Sequence, residues 1–208
     1  ADPVVMLDAG ANVDSKPFHL LQFAHLGAIY AHDVLRRARP RVGLLNIGEE
    51  PEKGNELAVE AHQLLARSGL DFIGNVEGRD IITGVCDVVV TDGFVGNVLL
   101  KFYESVAGFF SRLVEREVAR SGAKMDLQEL FRFLDYTEYG GAPLLGVNGI
   151  SIICHGGSPP QAIKNAIRVA IRAVETNMVD HVRRKLTGSM MDGNGEGAPQ
   201  LGRIAEGA

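Results

Sequence analysis

Cysteine is scarce in this chain: 208 residues contain only Cys86 and Cys154. Two thiols cannot build a disulfide framework. Each lies inside an apolar run, the setting of a reduced core residue in a cytosolic protein. No uninterrupted apolar stretch is long enough to span a membrane, and the opening residues do not read as a secretory signal. An initiator methionine is missing too. "ADPVVMLDAG" enters a strand almost at once, and that strand has a central character. The expectation is therefore a chain whose N-terminal portion precedes Ala1. Excess positive charge is also lacking: the formal net charge of −5 argues against general nucleic-acid binding.

Several chemical signatures are absent as well. There is no dinucleotide fingerprint and no P-loop. No set of His, Cys and carboxylates has metal-ligand spacing, and no serine sits in a nucleophile elbow. A nucleotide enzyme, a metalloenzyme and a serine hydrolase are not supported, and no cofactor is expected. A dehydrogenase lacks support for the same reasons.

What remains is an ordinary soluble composition, 46% apolar and 23% charged, with 25 glycines that outside the C-terminal tail mostly close apolar runs. "VVMLDAGANVDSKP", "RVGLLNIGEEPEKGNEL", "DFIGNVEGRDI", "CDVVVTDGFVGNVLLK" and "SIICHGGSPPQ" each end a short apolar run on Gly with Asp, Asn or His. Most then lead into a helical pattern. Strands alternating with helices predict an α/β fold, a three-layer αβα arrangement around a mainly parallel sheet. Ligands in such folds collect beyond the carboxyl ends of the strands. The five polar turns are thus expected on one edge of the sheet, facing a ligand.

Residues 101–136 break the alternation with two amphipathic stretches and no intervening strand, which predicts a helical hairpin. The segment from Thr187 is glycine-rich and weakly periodic and reads as a disordered tail, so the domain is expected to span residues 1–186.

Glycine turns that open helices favour anions, because unpaired N–H groups and the helix dipole both attract them. Three turns have this form, and Lys16 and Lys53 would add positive charge. Gly93 and Gly96 lie in the turn after the Val88–Val90 run. Asp92 follows that run directly, as a helix cap, a catalytic group or both. Asn12, Asn46 and Asn97 lie near strand ends; each could bond a substrate, although turn formation explains any one of them. His155 stands apart from the other five histidines because it precedes Gly156-Gly157-Ser158. The cluster Arg36, Arg37, Arg39 and Arg41 is either a solvated helix end or a docking patch for an acidic partner. The hairpin's apolar face would join the core, pair with a second copy or touch a membrane.

The motifs "LDAGANVDSKPFHL", "RVGLLNIGEEPEKGNEL", "FIGNVEGRDI", "VVVTDGFVGNVLLK", "EYGGAPLLGVNG" and "HGGS", taken in order, resemble the bacterial phosphate acyltransferase (PlsX) family. The resemblance runs from about Val4 to Leu186. It implies transfer of a long-chain acyl group from acyl carrier protein to inorganic phosphate, giving acyl phosphate for phospholipid synthesis. It also implies a fold like isocitrate and isopropylmalate dehydrogenases, and a homodimer associated peripherally with the membrane. Phe109, Phe110 and Leu113 would then be candidate dimer or membrane contacts, and the arginine cluster a site for the carrier protein. Catalytic roles would fall to Asp92, Lys53, Asn97 and His155. Substrate binding would fall to Asn12, Lys16, Asn46, Gly93 and Gly96. Two rival readings stand beside this one: an acyl-CoA-dependent enzyme like phosphotransacetylase, and a non-catalytic lobe for dimerisation or membrane binding.

Overall fold

A computed structural model describes residues 3–121 and 140–192, with side chains as far as residue 186. Its centre is a four-stranded parallel sheet of β1 (Val5–Leu7), β2 (Arg41–Leu45), β3 (Asp71–Val76) and β4 (Val88–Val90), in the order β1-β4-β2-β3. The apolar run Val88-Val89-Val90 is fully buried, as a strand covered on both faces requires. Successive side chains on a strand point to opposite faces. Val88 and Val90 accordingly join one apolar cluster and Val89 another.

The larger cluster lies under α1 (Pro17–Asp33) and α2 (Glu56–Leu65), where Leu20, Phe23, Ile29, Ala61 and Leu65 meet Val42, Leu44, Val88 and Val90. Proline opens α1 at a position where its missing N–H costs nothing. The Asn55 side chain caps α2 by accepting from the Ala58 N–H at 2.9 Å. The smaller cluster joins Val76, Cys86 and Val89 to Ile81 of α3 (Gly78–Thr83) on the opposite face. Helix, sheet and helix make the three-layer αβα arrangement that the alternating pattern predicts. After α4 (Gly93–Ser121), α5 (Pro160–Glu175) and α6 (Met178–Asp192) close the described chain, and Met178 and Val182 of α6 join the larger cluster.

One topological feature positions the site. The β1–α1–β2 crossover leaves a gap that β4 fills last, so the ends of β1 and β4 become neighbours although some 80 residues separate them. All four strands point the same way, so Leu7, Leu45, Val76 and Val90 end on one edge.

One expectation needs adjustment, and two others fall partly outside the described residues. The fifth turn does not lie on this edge. Its short strand β6 (Ile152–Ile153) pairs antiparallel with β5 (Ala142–Pro143) in a separate ribbon. A two-residue run bounded by polar and glycine-rich segments is too short to be a core strand. The first arm of the expected hairpin is the distal part of α4, a single helix of 29 residues that starts at the strand turn itself. The second arm, up to residue 136, lies outside the described residues. Finally, α6 continues to Asp192, six residues past the expected domain end, and the remaining tail lies outside the described residues.

Candidate functional site

The neighbouring ends of β1 and β4 each carry a carboxylate that gathers backbone N–H groups. Asp8, only 7% exposed, accepts from the N–H groups of Gly10 and Ala11 at 3.0 Å and of Asn12 at 2.6 Å, and from Asn12 Nδ2 at 3.1 Å. Asp92 caps α4: its Oδ1 accepts from the N–H groups of Phe94 and Val95, both at 2.9 Å. The two ends are stitched together by the Asp8 N–H donating to the Thr91 carbonyl and the Gly93 N–H donating to the Asn12 carbonyl, each at 2.9 Å.

Glycine makes this junction possible. A Cβ on Gly93 would come within 2.6 Å of the Asn12 carbonyl oxygen, and one on Gly96 would overlap the Asp8 carbonyl oxygen. Gly10 adopts a φ of +132°, and its face is closed by the side chain of Asn97. The first turn of α4 therefore seats directly on the β1 loop.

These bonds change what the turns can offer an anion. The N–H groups of residues 10–12 and 94–95 already have carboxylate partners. The three asparagines act as braces as well. Asn12 holds Asp8, Asn97 Nδ2 donates to the Ala9 carbonyl at 3.0 Å, and Asn46 Nδ2 donates to the Lys53 carbonyl at 2.9 Å. An amide NH2 has two donors, so each nitrogen carries a second proton beyond the bond just described. Asn75, which sequence reasoning passed over, sits buried at the end of β3 and donates to the Glu50 carbonyl at 2.7 Å. It and Asn46 pin the loop that carries Lys53. Lys16 and Lys53 are exposed, and neither makes an ion pair with a described residue. The loops bearing them follow β1 and β2, which flank β4 about 10 Å apart at the usual strand spacing.

Sequence reasoning also passed over Asp8. Its signal was present: "VVMLDAG" and "VVVTDG" have the same form, an apolar run closed by Asp and then Gly.

Beside the polar junction runs an apolar groove of about 330 Å³, between Leu45 and Gly78 at the sheet edge and Phe94, Val98 and Phe102 along α4. No polar or charged side chain lines it.

Comparison with known proteins bears on this arrangement. The family described as fatty acid synthesis protein matches residues 1–181. The chain belongs to this family. Its relatives include proteins named phosphate acyltransferase from Pelotomaculum thermopropionicum, 51% identical over 92% of this chain, and Heliobacterium modesticaldum, 52% identical over 89%. Another, from Synechococcus elongatus, is 52% identical over 88% of the chain. The chain spans 58%, 58% and 55% of those three relatives, a little over half of their length.

In this member of the fatty acid synthesis protein family, the remaining candidate residues lie away from the β1–β4 junction. The arginines occupy the opposite edge, where the strands begin. Arg41 Nε lies 3.1 Å from Asp87, Arg37 Nε 3.9 Å from the same carboxylate, and Arg39 Nε 3.1 Å from Asp71. Burial alone would raise the Asp87 pKa, but hydrogen bonds from Arg41 and the charges of Arg41 and Arg37 hold it below the ordinary carboxylate value. Three of the four arginines thus stitch strand starts together. Arg36 occupies left-handed backbone at φ +61°.

His155 faces Glu104 of α4, with Nε2 at 3.6 Å. Glu104 lies eleven residues beyond Gly93, about 16 Å along the helix axis, so the structure does not bring His155 to Asp92. Cys154 turns elsewhere, toward the Gly140 carbonyl. Phe109 and Phe110 pack edge to face at 5.7 Å, yet both are more than half exposed, and Leu113 is 37% exposed. Among the described residues, no helix is long and apolar enough to cross a membrane, and no group of His, Cys and carboxylates is placed to hold a metal.

Proposed function

We propose that this chain provides the catalytic edge of a phosphate acyltransferase. It moves a long-chain acyl group from acyl carrier protein to inorganic phosphate, and acyl phosphate is the product. The observation that carries this reading is the β1–β4 junction, where a polar, lysine-flanked edge opens directly into an apolar groove. An acyl phosphate has the same two-part character.

In this reaction a phosphate oxygen attacks the thioester carbonyl carbon. A tetrahedral oxyanion forms, the C–S bond breaks, and the carrier thiol leaves with a proton. Lys16 and Lys53 supply positive charge for phosphate at the edge of the sheet. The second proton on Asn97 Nδ2 stabilises the developing oxyanion, the role of a pre-set donor in acyl transfer. Asp92 has its Oδ1 committed to the helix. A direct carboxylate–phosphate contact would be repulsive, so Asp92 acts by orienting a lysine or the turn itself. Asp8 holds the loop that carries Asn12.

The exposed apolar residues Phe109, Phe110 and Leu113 on distal α4 support homodimer formation, with peripheral contact to a lipid surface through the same helix. A single projecting helix buries little of itself and gains from a second copy.

The deciding experiment is phosphate-dependent formation of acyl phosphate from palmitoyl acyl carrier protein, trapped with hydroxylamine. Product that vanishes without phosphate, and falls at least a hundredfold on Asn97→Ala or Lys53→Ala, supports this reading. A folded chain that makes no product, while a longer relative does, would locate an essential part of the site outside these residues. Product from palmitoyl-CoA at an equal or higher rate would transfer the reading to a CoA-dependent enzyme.

A further inference from the structure

The apolar groove along α4 has no counterpart among the residues that would act on phosphate, and its chemistry is one-sided. Phe94, Val98 and Phe102 recur every four residues, so they line one face of the helix over about 12 Å. All three are more than half exposed, against Leu45 and Gly78 on the sheet side. Left open among the described residues, such a strip forgoes the burial these side chains would gain, which marks a binding surface.

Its size and position select the occupant. At about 330 Å³ the groove is at the small end of small-molecule pockets. A stable protein interface needs roughly 800 Å² per partner with a polar rim, and the groove's own lining includes no polar side chain. Its inner end, Phe94, is the second residue after Asp92, whose carboxylate caps the same turn. Whatever lies in the groove is therefore continuous with the polar junction.

From these facts we infer that the groove is the acyl-tail site. The carbonyl end of a fatty acyl chain sits at the Asp92–Gly93 turn, and its methylenes run past Phe94 and Val98 toward Phe102. Chain-length preference is then set by the distance from that turn to Phe102. This inference rests on the acyl-transfer reading for the identity of the tail, but the groove can be tested without turnover.

The test measures equilibrium binding of radiolabelled fatty acids to the 208-residue chain. Affinity is expected to rise with each added methylene, by up to about fourfold per methylene, and to level off once the tail passes Phe102. Val98→Trp fills the groove with apolar bulk and is expected to weaken palmitate binding at least tenfold. Phe102→Ser, which leaves space but removes apolar surface, is expected to weaken palmitate more than octanoate. Ile167→Trp, an exposed position on α5, serves as the control. In the transfer assay, Val98→Trp should lower the palmitoyl-to-butyryl specificity ratio at least tenfold.

Palmitate binding that ignores both groove substitutions overturns the inference, even if acyl transfer is present. Groove-dependent binding with no transfer by this chain or by a longer relative would uphold the inference and sink the proposed reaction instead. If Val98→Trp changes only the sedimentation behaviour of the protein, the groove is a contact between copies, and the inference fails.

Discussion

Gly96 of α4 rests on the main-chain carbonyl of Asp8, closer than any side chain would permit. This contact joins the two strand ends that form the candidate site, and neither partner is free to rotate away because both are backbone. Gly96→Ala is expected to cost about 3 kcal/mol through overpacking. In a chain of this size that corresponds to a fall in Tm on the order of 10 °C. Calorimetry checks the size of the effect. A variant as stable as the parent would show that α4 can lift off the β1 loop without penalty.

Asp92 combines a structural duty with a proposed functional one, and two substitutions separate them. Asp92→Ala removes the cap from α4 and should cost about 1 kcal/mol, together with a large fall in phosphate-dependent turnover. Asp92→Asn keeps a capping oxygen and should restore the Tm while turnover stays low. Recovery of both by asparagine would reduce Asp92 to a cap.

The Asp87 cluster makes acid stability depend on Arg41. The folded-state pKa of Asp87 lies below its ordinary value because Arg41 and Arg37 favour the charged form. Its contribution is therefore full above about pH 4, the unperturbed carboxylate value. It is lost as pH falls through the depressed folded value. Arg41→Gln should lower the Tm at pH 7 and move the acid-unfolding midpoint upward. The gap between variant and parent should close at the acid end of the titration. An unchanged acid limb would mean that this pair adds nothing, as many exposed ion pairs do.

The two thiols should differ sharply in reactivity. Burial pushes the Cys86 thiol up to about 11 and removes it from solvent, whereas Cys154 is half-buried. Only a thiolate reacts with iodoacetamide. Mass spectrometry of native protein at pH 7.5 is expected to find the label on Cys154 alone, and on both residues after denaturation. Labelling of native Cys86 would mean that the Val76–Val89 cluster opens readily.

Much of this architecture was legible in the chain. Apolar β-branched runs closed by Asp or Asn and glycine marked the strand ends, because a fully buried strand and a helix cap need different residues side by side. Asp92 was legible as a cap on the following helix, although the unbroken run of that helix from Gly93 to Ser121 was not. Asp92 supplies the cap there, and positions 93 and 96 are glycine because the neighbouring loop leaves no room for a larger residue.

The functional assignments were harder to read, because residue type does not reveal what already occupies a donor or a charge. The glycine turns looked like open anion cradles, yet Asp8 and Asp92 consume many of their N–H groups. The arginine cluster read as a solvated helix end or a docking patch because Asp71 and Asp87, its counter-charges, are some 30 to 50 residues away in the chain. His155 looked like a member of the ligand edge, but its two-residue strand pairs outside the main sheet.

The sequence by itself determined which segments form strands and helices and which strand ends are polar, since periodicity and capping are local properties. The tertiary structure alone decided that β4 inserts beside β1. That placement brings Asp8, Asp92 and the apolar groove to a single edge, and it depends on how buried area is shared across the whole sheet, which no short window of sequence records.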